Sequence, residues 1–379
     1  MSLTTDEYGR HKQLPGTYET QSQAARKYYQ DGDIDSAKKI CLVLLEENPD
    51  DSLALLILGN IEADCGNYGL SVNLLYRSLA IDPRRYDTWN TVGHALHTLF
   101  FLDAAVEYLN KSLEMNPNNT SALINLACVY ISKAKPDVAE KYARQALELE
   151  PDSVAAKDNL ALALLGQGKW AEGWDNYEAA LGVKFRKEWT YGDNGRWDGS
   201  PGKSVIVYGE QGMGDELLFA SCIPDAQKDC KYLMVDCDQR LEGLFKRSFP
   251  KAEVTGSRWD TAPVLSRQPE YRCSMGTLPK FYRREADDIM GIAFLEACMA
   301  RKIMCRGLLD SMPGPRIGLA WTGGTRRTDR DARCIEVDQL KPLTDLGGSF
   351  VSLEYIKPDL KGLPIRHYPY IVETDDYDD

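Results

Sequence analysis

Along the first half of the chain, apolar residues recur every three to four positions, the spacing of helices that bury one face. Short polar turns break this pattern at a fixed interval. Pro49, Pro83, Pro117 and Pro151 stand 34 residues apart, in the related quartets ENPD, IDPR, MNPN and LEPD. Each is followed by a polar turn and a new helical pattern. Counting back places unit starts near 18, 52, 86 and 120, with a fifth from 154. Small residues recur where paired helices must touch: Gly59, Gly93, Ala127 and Ala161 on first helices, Ala37, Ala105 and Ala139 on second ones. Leu58, Val92, Leu126 and Leu160 hold the adjacent large apolar position. Near residue 188 the helical period stops, and a stretch dense in glycine and aromatics predicts a linker over 188–202. SVIVYG then predicts a buried strand, GEQGMGDELLFASCIPD a glycine-rich turn opening a helix near Gly214, and KYLMVDC, QRLEGLFKRSF and AEVTG a strand, a helix and a strand. Such alternation predicts a parallel sheet with right-handed crossovers.

The 34-residue period with small residues at these places resembles the tetratricopeptide repeat (TPR), and Trp89 stands at the aromatic position of that pattern. The resemblance implies a solenoid of about five repeats over 18–187. One repeat cannot bury its apolar face alone, so stacking creates both the core and a concave groove. By register, Arg26, Tyr29, Asn60, Asp64, Asn90, His94, His97 and Ser132 face that groove. Amides and rings suit capture of an extended peptide backbone; a generic solvated face is the other reading. His94 and His97, three residues apart, suggest a metal pair, but no third ligand is apparent and no metal is expected. Trp170 and Trp174 read as a cap for the open end of the solenoid, or as a docking face for the next domain, before ligand contact.

Composition narrows the partners. A net charge of −12 argues against a general nucleic-acid binder, which needs a dominant basic face. The ten cysteines form no C-x-x-C pair, so no zinc spacing appears, and a reducing compartment fits them. The first residues lack an apolar signal core, and no run approaches the ~18 apolar residues of a membrane span. A soluble cytoplasmic protein is expected.

The turn around Gly212 is not the dinucleotide fingerprint, because G-M-G-D-E-L lacks the third glycine. Asp215 and Glu216 would repel a phosphate at that helix end, so a hydroxyl group suits it better. Asp215 has two readings: an acid complementing the helix dipole, or a general base for an acceptor hydroxyl. RWDGSP followed by a strand and GEQGMGDELLFASCIP resembles the TPR-fused glycosyltransferases related to bacterial heptosyltransferases. PRIGLAWTGGTRRTDRDARCIEVDQLKPLTDLGGSFVSLEY resembles the start of that family's second Rossmann domain.

The resemblance implies a B-type, two-Rossmann fold: an acceptor half over 203–312 and a donor half over 313–379, the latter incomplete. It matches Asp215 to the proposed catalytic base, with Gln211, Gly212 and Gly214 shaping the acceptor site. Thr322, Thr325, Arg326, Arg327, Arg330 and Arg333 follow a strand end, where a donor diphosphate would be held by charge-assisted hydrogen bonds; a surface salt-bridge network is the other reading. The expected architecture is an α-solenoid followed by an α/β Rossmann-like glycosyltransferase region. Its expected function is transfer from a nucleotide sugar, without other cofactor, to a protein or saccharide recruited by the groove. The alternative is a non-catalytic TPR scaffold carrying a glycosyltransferase remnant.

Overall fold

The structure, a computed structural model, describes residues 18–183, 186–257, 265–289, 291–323, 334–354 and 357–369. The chain divides into two compact units, Met1–Leu181 with Arg284–Ala286 and Gly182–Arg283 with Asp287–Asp379.

The first unit is a run of helix pairs. They are α1 (Tyr18–Gln30) with α2 (Ile34–Glu47), α3 (Ser52–Asp64) with α4 (Tyr68–Ile81), and α5 (Tyr86–Thr98) with α6 (Leu102–Met115). Two more follow: α7 (Thr120–Ser132) with α8 (Pro136–Leu149), and α9 (Val154–Leu165) with α10 (Trp170–Tyr177). The 34-residue step fixes the start of each first helix. Asp51 accepts from the backbone N–H groups of Leu53 and Ala54 at 2.8 and 2.9 Å, and Asn119 and Ser153 cap one and two repeats after Arg85. Arg85 lacks a capping oxygen and pairs with Asp87 instead. The turn inside each pair needs a left-handed residue. Gly32, Gly66 and Gly168 supply it with φ of +81°, +82° and +74°, and Phe100 and Ala134 adopt it at 65° and 52°.

Close packing explains the small residues. A Cβ on Gly59 would lie 2.8 Å from the Leu75 side chain, and one on Gly93 would lie 2.5 Å from Leu109. One repeat later the first helix carries Ala127, and the facing residue has shrunk to Ala143, buried in the same cluster. The close contact is kept at both places, by a glycine under a leucine in one repeat and by two alanines in the next.

The second unit holds two parallel sheets. The first is built from β1 (Gly195–Arg196), β2 (Ser204–Tyr208), β3 (Tyr232–Asp236), β4 (Glu253–Thr255) and β5 (Tyr271–Ser274), in the order β1-β5-β2-β3-β4. Helices α11 (Met213–Phe219) and α12 (Ile223–Asp229) lie between β2 and β3 in the chain, and α13 (Glu242–Ser248) between β3 and β4. The chain continues through α14 (Leu278–Tyr282) and α15 (Met299–Asp310). Every residue of β2 is buried, as its unbroken apolar run demands of a central parallel strand. The second sheet comprises β6 (Arg316–Leu319), β7 (Ser349–Ser352) and β8 (Ile365–His367), with α16 (Lys341–Thr344) between β6 and β7 in the chain. Its core is Trp321, Val337, Leu340, Phe350 and Ile365.

The stretch expected to be a linker is folded into this unit. β1 pairs with β5, Trp197 is buried against Phe281 at 5.2 Å, and Arg196 and Arg272 both reach the Glu188 carboxylate. Hydrogen bonds from both guanidiniums, chiefly that of Arg196, hold the Glu188 carboxyl near pKa 2.

Candidate functional site

On the helical unit, α1, α3, α5 and α7 line a polar cavity of about 170 Å³. Tyr29, Asn60, Ala63, Asp64, Asn90, Thr91, His94 and Asn125 form its wall. Asn60 and Asp64 are four residues apart, as are Asn90 and His94, so each pair shares one helix face. Asn125 Nδ2 donates to Asn90 Oδ1 at 3.0 Å, and Tyr29 Oη donates to Asp64 Oδ2 at 2.8 Å. Burial, reinforced by the Asp64 carboxylate, pushes the Tyr29 phenol above its ordinary pKa. Asn60 Oδ1 is shielded from solvent and has no hydrogen-bond partner among the described residues. His97 and Ser132, from α5 and α7, meet at 2.9 Å, and Arg26 is exposed on α1; these three are not among the cavity-lining residues.

The sheet unit treats its polar groups differently. Strand order reverses at β2, with β3 on one side and β5 on the other, and the carboxyl ends at such a reversal commonly hold ligands in open α/β sheets. Here that place is filled from within. Glu210, just past β2, is buried and accepts from Arg186 Nη2 at 3.2 Å, Gln211 Nε2 at 3.2 Å and the Gly276 backbone N–H at 3.1 Å. Arg186 also donates to Ser274 at the end of β5. Burial pushes the Glu210 carboxyl up, against the pull of Arg186 and these donors. A Cβ on Gly276 would lie 2.4 Å from Glu210, so the cluster is closed without room for a side chain there. Asp236, ending β3, accepts from Tyr191 Oη at 2.7 Å and from Ser257 Oγ at 2.9 Å. Asp215 accepts from the Gly212 N–H at 3.0 Å and so tethers the start of its own helix; Gly214 is exposed beside it.

The second sheet repeats the device. Glu354, beyond β7, accepts from the Trp321 and Thr322 N–H groups at 2.6 and 2.9 Å and from the Thr322 hydroxyl. A carboxylate therefore sits at the strand end where the sequence expectation puts a diphosphate. Thr325, Arg326, Arg327, Arg330 and Arg333 lie outside the described residues. A second cavity, about 210 Å³, is lined mainly by apolar side chains including Leu308, Leu309, Ile317, Val351 and Leu353.

Models of the tetratricopeptide repeat match residues 86–119 and 124–186. The helical half is built of tetratricopeptide repeats. Protein FlbA of Caulobacter vibrioides is 27% identical over 307 residues, 75% of this chain and 52% of that protein. The chain thus spans about half the length of this curated relative. Among solved structures, a thermophilic TPR protein of Thermus thermophilus is 24% identical with a TM-score of 0.39, over 44% of this chain and 90% of that one. MamA is also 24% identical, at a TM-score of 0.36, over 41% of this chain and 92% of its own. YrrB, described as a TPR protein with an unusual peptide-binding site, is 17% identical at 0.36, over 44% and 87%.

Five of the eight groove residues read from the repeat register line the TPR cavity. Thr91 and Asn125 were missed, although they stand one repeat apart, 34 residues, at equivalent places. One repeat before Thr91 the same place holds Ile57, a buried core residue, so the register alone does not mark it as groove-facing.

Proposed function

We propose that this chain is a protein-interaction scaffold whose TPR groove holds an extended segment of a partner polypeptide. The observation that carries this reading is the polar wall of the cavity. It draws on four consecutive repeats, and its groups are only partly occupied by one another. An extended backbone offers alternating N–H and C=O groups, and amide side chains bind both. Selecting peptides from a displayed random library, then measuring the best by calorimetry, tests the reading. Replacing both Asn90 and Asn125 by alanine should weaken binding at least about tenfold, the ~1.4 kcal/mol expected from losing one or two hydrogen bonds. Equal affinity in both proteins removes the groove from the site.

A second reading, sugar transfer from a nucleotide donor, draws support from the strand-order reversal at β2 and from the GEQGMGD turn beside it. Asp215 would be the base, with the acceptor near Gln211, Gly212 and Gly214 and the diphosphate between Thr322 and Arg333. Asp215 would act while tethered to the Gly212 N–H, and Glu354, which already holds Thr322, would face the diphosphate as a like charge. Hence the scaffold reading is preferred. Transfer of radiolabelled sugar that is abolished by Asp215→Asn would reverse that preference.

A further inference from the structure

We infer that the TPR cavity selects a partner segment carrying an arginine or lysine, whose cationic head seats between Asp64 and Asn60. This deepens, and rests on, the groove reading above.

The cavity holds acceptors that the described residues leave open. Among the described residues, Asp64 is the only carboxylate lining the cavity, and no lysine or arginine lines it. A carboxylate offers about four acceptor positions. Tyr29 fills one of those of Asp64, and no ion pair to Asp64 is found among the described residues. The contrast with its neighbour on the same helix is direct: Glu62, two residues earlier, is buried and is matched by Lys38 at 2.7 Å and by Asn67 at 2.8 Å. Asn60, one turn before Asp64, adds a shielded Oδ1 with no donor. A buried acceptor left unmade is costly, so an occupant that brings several donors gains more here than one that brings a single backbone N–H.

The rest of the wall is neutral or donor-capable. Asn90 Oδ1 is already taken by Asn125 Nδ2 at 3.0 Å, and Thr91 and His94 carry groups that donate as well as accept. The unmet demand is thus concentrated at the α3 side of the cavity, and it is for hydrogen-bond donors with positive charge. A guanidinium presents five donors in a planar fork and an ammonium three, with no acceptor to clash with either oxygen. An acidic side chain would meet Asp64 as a like charge without relief. Arg26 stands at the equivalent place one repeat before Asn60 and is exposed. It is not among the lining residues, so the preference is assigned to the cavity and not to the whole groove.

The test is a peptide library randomised at every position, displayed and selected in parallel on the wild-type chain, on Asp64→Asn, and on the Asn90→Ala, Asn125→Ala double variant. The expected result on the wild type is enrichment of arginine or lysine over glutamine at one position. Calorimetry on a selected peptide and its Gln-substituted partner should then give an affinity ratio of roughly three- to tenfold, the scale of one partly exposed charge-assisted contact. On Asp64→Asn that ratio should fall to about one. Peptides that bind the wild type without cation enrichment, or a ratio unchanged in Asp64→Asn, overturn this inference and leave the groove reading standing. A selection in which the double variant yields the same peptides as the wild type overturns the groove reading itself.

Discussion

The cavity of the TPR unit and the strand ends of the sheet unit hold similar chemistry: carboxylates, amides, hydroxyls and aromatic rings. They differ in how that chemistry is used. At the strand ends three acids are turned inward. Glu210 meets Arg186 and Gly276, Asp236 meets Tyr191 and Ser257, and Glu354 meets Trp321 and Thr322. In the groove, among the described residues, Asp64 meets a single tyrosine and Asn60 Oδ1 meets no donor. A group whose bonds are made internally contributes to folding, whereas one left unmade in a concavity is available for a partner. Residue type therefore does not mark a site. Satisfaction does.

By that contrast, the largest effect of substitution belongs to the strand ends. Glu210→Ala leaves the Arg186 guanidinium buried without its counter-charge and should cost about 3–5 kcal/mol, read as the shift in denaturant midpoint. A loss below about 1 kcal/mol would mean that the pair is hydrated and the pocket open.

Next in size is the packing that shapes the groove. Gly93→Leu must force α5 away from Leu109 and should cost about 1–3 kcal/mol. Because α5 carries Asn90 and His94, the same variant should also weaken binding of a selected peptide. A normal melting curve would contradict the close approach at Gly93.

The smallest effect on stability should come from Asn60. Its oxygen makes no hydrogen bond among the described residues, so Asn60→Ala should change stability by no more than about 0.5 kcal/mol, or raise it, while lowering peptide affinity. A large loss of stability would show that Asn60 is a structural residue and erase the contrast with Glu210.

Much of this was legible in the chain itself. Five helix pairs follow from a proline period that no packing accident imitates, and Asn60, Asn90 and His94 fell on the cavity wall because the period fixes which helix face turns inward. The sheet was legible where apolar runs are long, as in Ser204–Tyr208 and Tyr232–Asp236. It was not legible at β1, β5 and β8. These strands have two, four and three residues, and β5 carries Arg272, whose guanidinium is spent on Glu188 and Asn194. A short strand with a charged centre has no period to read. The linker reading failed for a related reason. Glycine and aromatic density signals turns, but Trp197 and Tyr191 bury themselves through contacts distant in sequence. The role of Asp215 was equally beyond a local motif, since whether an acid serves its own helix or a substrate depends on which donor it meets.

The central claim is that a partner occupies the groove while the strand ends stay closed. Hydrogen-exchange mass spectrometry, with a library-selected peptide at saturation, reads both regions in one sample. Slowed exchange over α3 and α5, with no change over residues 208–216 and 319–323, is the predicted result. Slowed exchange at the strand ends with none in α3 and α5 would contradict it.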